Sequence, residues 1–134
     1  MIGAARYAYL VLAWAFVAGV VIQVFFIGLG LFAGSENIEL HVTLGWILHL
    51  APLLILAAAA LARAGRRRIL EAATLAAVVF VVPILALLRD GAPVFAALHP
   101  VGAIFSFWLA IVVARGATSL RGSEGAALPE PAAS

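Results

Sequence analysis

Residues 7–33 run for 27 positions without a charged side chain, and three more such stretches follow at 40–62, 72–88 and 94–114. A helix crosses the roughly 30 Å hydrocarbon layer of a bilayer with about 20 apolar residues. Four stretches near that length in 134 residues leave little chain for a water-soluble core. Within lipid the backbone polar groups must be paired inside each segment, so the spans are helices. The sequence therefore predicts an all-α integral membrane protein.

Composition agrees and narrows the chemistry. Apolar residues make up 66% and charged residues 10% of the chain, against about 45–50% and about 25% in soluble domains. Cysteine is absent, which excludes thiolate catalysis, thiolate metal sites and disulfides. Lysine is absent too, so no Schiff base forms, and the single methionine is Met1, so a His/Met axial pair on an iron is not expected. The pI of about 9.9 does not point to nucleic acid. The arginines lie beside the apolar stretches rather than on one face, as in proteins whose basic residues set membrane orientation.

One four-helix transmembrane domain is expected over residues 1–115, with helices at about 5–33, 38–63, 67–88 and 93–115. The first apolar stretch is longer than the roughly 7–15 residues of a secretory signal core, so it reads as a retained span. Pro52 is expected to kink the second helix. Gly65 is a candidate C-cap for it, and Pro93 suits the first turn of the fourth. Residues 116–134, rich in Gly, Ser, Ala, Pro and Glu, read as a disordered cytoplasmic tail.

Arg63, Arg66, Arg67 and Arg68 cluster between the second and third stretches, whereas the other two turns carry little positive charge. The positive-inside rule then places that turn and both termini in the cytoplasm. Short turns make successive helices antiparallel neighbours, giving an up-down-up-down four-helix bundle in the inner (plasma) membrane.

His41, His49 and His99 are the only strongly ionisable side chains in the apolar stretches. Ionisable groups at such depths are functional suspects. His41, Gly45 and His49 share one helix face, with glycine leaving a gap between the two rings. His99, Gly102, Ser106 and neighbouring alanines form a second small-residue face. Gln23 marks a third. Two imidazoles on opposing helices, with room for a flat macrocycle, suit the iron of haem b. His99 is expected as one axial ligand, with His41 or His49 opposite. Gln23, Thr43 and Ser106 are candidates to orient the ligands, and Arg89 to meet the propionates. A single zinc ion would not reach both His41 and His49, which stand two turns apart.

Three segments, Ile22–Gly30, His41-x3-Gly45-x3-His49 and Leu98-His99-Pro100, together resemble a family of small four-helix bacterial integral membrane proteins of uncharacterised function. The resemblance covers residues 5–115 and implies the fold and the membrane location, with no activity attached. More loosely, histidines on facing helices resemble b-type cytochrome bundles; three histidines suffice for one bis-histidine haem but not for two. Electron transfer beside quinones or a larger membrane complex would follow. Two other roles fit the same residues. One is a non-catalytic accessory or scaffold subunit, in which glycine and alanine faces pack against partner helices or a second copy of the chain. The other is a binder of a quinone-like apolar molecule, using Phe25, Phe26, Trp46 and Phe105.

Overall fold

The computed structural model describes residues 1–125, all of them in helices and the short turns between helices. The elements are α1 (Ile2–Phe32), α2 (Ile38–Leu61), α3 (Arg66–Leu87), the single turn α4 (Pro93–Ala96) and α5 (Leu98–Gly125). The four long helices are each long and apolar enough to cross a membrane. Their outward faces carry large apolar side chains such as Leu31, Ile47, Leu61, Leu87 and Ile104. Such a surface suits a bilayer and suggests a multi-pass membrane protein.

The helices close a four-membered ring. α1 packs on α2, α2 on α3, α3 on α5 and α5 on α1, with no close main-chain approach across either diagonal among the described residues. One end of this ring is sealed. Tyr9, Ala13 and Phe16 of α1 meet Ile55, Ala58 and Ala59 of α2, Ala72 and Leu75 of α3, and Ala110, Val113 and Ala114 of α5. The abundance of alanine is the cause: small residues let membrane helices approach closely. The other end is looser and holds the cavity described below.

The arginines gather at the sealed end. Arg6 Nε donates to the Ala62 carbonyl, and Arg68 donates to the Gly116 carbonyl and, at 2.9 Å, to Ser119 Oγ. Trp14 Nε1 donates to Thr118 Oγ1 at 3.1 Å, and Arg121 lies 4.9 Å above the Tyr7 ring. These contacts tie the segment after residue 115 to α1 and α3. They explain why α5 runs to Gly125, ten residues past the expected end at 115. The expected tail thus begins within a helix; its remaining residues, 126–134, lie outside the described residues.

Local chemistry corrects two further expectations. Gly65 does not cap α2. Instead Arg63, at φ +50°, takes the left-handed position after the Ala62 cap. The Arg63 N–H bonds the Ala60 carbonyl and the Ala64 N–H bonds the Ala59 carbonyl, the paired bonds of a Schellman ending. Gly65, at φ +87°, opens α3 instead. The fourth span is also not one continuous helix. Pro93 starts a single turn that breaks at Ala97, before Leu98 opens α5. Pro100 sits in the first turn of α5, where its missing N–H has no intrahelical acceptor to leave empty. α2 carries Pro52 within one unbroken helical segment.

Candidate functional site

The looser half of the ring encloses a cavity of about 310 Å³. That volume is at the lower end of ligand pockets, roughly 300–1,000 Å³. All four long helices line it. α1 supplies Gln23, α2 supplies His41, Gly45 and His49, α3 supplies Val82, and α5 supplies His99 and Ser106. Arg89, in the turn after α3, also reaches it.

His41 and His99 face each other. Their ring centroids are 6.3 Å apart and the planes meet at 76°. Each is held by a backbone carbonyl on the helix beside it. His41 Nδ1 lies 3.1 Å from the Gln23 carbonyl and His99 Nδ1 lies 2.8 Å from the Val82 carbonyl. A carbonyl only accepts, so in both rings Nδ1 carries the proton and donates. In the neutral form of each ring Nε2 is then the nitrogen with the lone pair, and it forms no hydrogen bond among the described residues. An Nδ1–H held by a carbonyl is the usual outer-shell arrangement of a metal-ligating histidine, because it fixes both tautomer and ring orientation.

His49 is placed differently. Its ring packs on Phe80 at 4.3 Å between centroids and meets Trp46 at 5.8 Å. The His49 Nδ1 is buried without a hydrogen-bond partner, and so is Gln23 Oε1. An unsatisfied buried polar atom costs about 1–3 kcal/mol. Both residues line the same cavity.

The glycines shape this space in two ways. A Cβ on Gly45 would stand 2.8 Å from Gln23 Nε2, so the missing side chain makes room for the amide. A Cβ on Gly102 would stand 2.8 Å from Val82 Cγ2, so this glycine lets α5 approach α3. That approach places His99 against the Val82 carbonyl.

The sequence named the histidines and the small residues but left the partner of His99 open. The structure puts His41 beside His99 and sets His49 against aromatic rings instead. The orienting groups differ from those expected. The Gln23 main chain, not its side chain, holds His41. The Ser106 hydroxyl donates back to the Gly102 carbonyl of its own helix. Thr43 is exposed and lies outside the cavity lining. Of the four aromatics named for a quinone-like ligand, only Trp46 lines the cavity; Phe25 and Phe105 point outward and pair with Phe26 and Trp108. The role of the Val82 carbonyl was invisible, because every residue has a carbonyl and only the packing of α5 on α3 selects this one. Among the described residues no group of three or more His, Cys, Asp or Glu is placed to hold a metal ion, so a ligated metal would rest on the histidine pair.

A family model described as a family of unknown function, DUF6220, matches residues 23–89, half of the chain. The matched stretch includes Gln23, His41, Gly45 and His49 and ends before His99. No curated protein and no solved structure matches.

Proposed function

We propose that this chain, which belongs to the DUF6220 family of unknown function, is a small b-type haem protein of the inner (plasma) membrane. His41 and His99 would hold the haem iron. The observation that carries the reading is the opposed pair of rings, each with Nδ1 tied to a carbonyl and Nε2 left for a metal. Two imidazoles bonded through Nε2 to one ion at the usual ~2.0–2.1 Å have centroids roughly 6–6.5 Å apart. The observed 6.3 Å falls in that interval.

The donor set fits haem in other respects. Neutral imidazole is the ligating form. Ala103, a small residue of the cavity lining on the His99 helix, leaves space for a flat group. Arg89 supplies a cation for propionates at the end away from the sealed core. Bound haem would supply one-electron transfer; the chain's own part is to hold the ligands, exclude water and set the field around the iron.

The arrangement also supports an orientation. Arg6, Arg63, Arg66, Arg67, Arg68, Arg115 and Arg121 fall near one end, leaving Arg89 at the other. With the basic end inside, both termini are cytoplasmic, the helices run up-down-up-down and the histidine pair lies nearer the outer face. The test of function is a pyridine haemochrome assay on protein purified from haem-replete cells. A Soret band that disappears in both His41→Ala and His99→Ala is expected. A wild-type protein without a Soret band would refute the reading.

A further inference from the structure

We infer that the deep end of the cavity, beside Gln23 and His49, is a second binding site, for the hydroxyl-bearing head of a neutral, lipid-soluble hydroquinone. Haem ligation by His41 and His99 leaves two atoms here unexplained. Gln23 Oε1 and His49 Nδ1 are both buried and both lack a partner. Two orphaned polar atoms on two different helices, lining one cavity, are complementary to a guest that brings its own hydrogen bonds.

Their chemistry defines the guest. A glutamine Oε1 only accepts, so the occupant must present an O–H or N–H. His49 Nδ1 accepts from a second hydroxyl or donates to the oxidised carbonyl, according to tautomer. The guest is neutral, because no Asp, Glu, Lys or Arg among the described residues lines the deep end and an unpaired charge there would be costly. Apart from its hydroxyls it is apolar with a flat ring, because the aromatic Phe16 and Trp46 and the aliphatic Val20, Leu48 and Val79 line the cavity around His49. Trp46 lines the cavity yet is 57% exposed on the outer surface of the ring of helices. Entry is thus from the lipid side, as suits a molecule dissolved in the bilayer. The choice of a redox-active ring rests on the haem reading; the site itself does not.

The probe is tetramethylhydroquinone, added anaerobically to the delipidated full-length protein in detergent while tryptophan fluorescence is followed. Saturable quenching is expected in the wild type. Gln23→Leu and His49→Phe should each weaken binding about fivefold, the worth of one neutral hydrogen bond, and the double variant should lose saturation. The dimethyl ether of the same ring, which has no O–H, should not saturate. Both substitutions replace an unpaired polar group by an apolar one, and Gln23→Leu alone carries the test if His49→Phe does not fold. Absence of saturation in the wild type, equal affinity in the variants, or equal affinity for the ether would overturn the site and leave bound water as the partner of both atoms. The Soret band is read in the same samples. A band without hydroquinone saturation sinks this inference alone, and saturation without a band sinks the haem reading alone.

Discussion

Gly102→Ala adds one methyl group at the point where α5 meets α3, and the structure fixes what it strikes. The new Cβ would sit 2.8 Å from Val82 Cγ2. Carbon atoms in contact prefer about 3.5–4.0 Å, so the pair is short by roughly 0.7 Å or more. Val82 has little freedom to turn away, because a β-branched side chain in a helix holds one χ1 rotamer in about 90% of cases. The helices must therefore part. The same separation stretches the bond from His99 Nδ1 to the Val82 carbonyl, now 2.8 Å, to about 3.5 Å, where a hydrogen bond is nearly gone. Overpacking costs about 1–3 kcal/mol and the lost bond about 0.5–1.5 kcal/mol. Alanine returns up to about 1 kcal/mol of helix propensity over glycine. The net expectation is a loss of about 0.5–3.5 kcal/mol, together with a His99 ring no longer fixed in one tautomer. Gly28→Ala is the control, since its added methyl meets nothing within 4 Å and should be neutral or stabilising. Unfolding in mixed micelles, followed by tryptophan fluorescence, gives the energies, and imidazole nitrogen chemical shifts give the tautomer. If Gly102→Ala matches Gly28→Ala in stability and leaves the His99 signals unmoved, the argument for a glycine-set approach fails.

Other outcomes follow from the same geometry. His49→Ala should keep a Soret band that His41→Ala and His99→Ala lose; an absorbance titration with hemin separates the three, and loss of the band only in His49→Ala would reverse the ligand assignment. Arg63→Gly should stabilise the protein by up to about 1 kcal/mol, because a non-glycine residue in the left-handed position costs roughly 1–2 kcal/mol; an unchanged or lower midpoint in the micelle titration would show the strain to be absent. Ala59→Leu, at a fully buried position of the sealed core, should cost about 1–3 kcal/mol by overpacking, read in the same titration. The chain lacks cysteine, so single introduced cysteines report orientation cleanly. Ser35→Cys should react with an impermeant maleimide added outside intact cells and Arg66→Cys should not, and the opposite pattern would invert the proposed topology.

The four spans were legible because lipid imposes one strong rule, an uninterrupted apolar length, and the sequence obeys it four times. Turn chemistry was legible only in part. Glycine is the default left-handed residue, so Gly65 drew the expectation of a cap, whereas the Schellman bonds are made with Arg63 in that role. The extension of α5 was hidden because residues 116–125 look weakly apolar by themselves. Their helix is held by Arg68, Trp14 and Tyr7, which lie far away in sequence. In the site, helical spacing put His41, Gly45 and His49 on one face but did not settle which of the two histidines meets His99. That choice depends on how α2 and α5 sit across the ring, which Gly102 and Val82 help to decide.

The uneven distribution of alanine has a mechanical consequence. A ring of helices pressed together at one end and parted at the other moves like tongs about a fixed grip. Thermal bending should concentrate in the arms, the histidine-bearing halves, while the arginine-bearing halves stay clamped. Amide exchange would then be fastest in residues 20–45 and 80–105, and a molecule lodged between the arms would slow it there first.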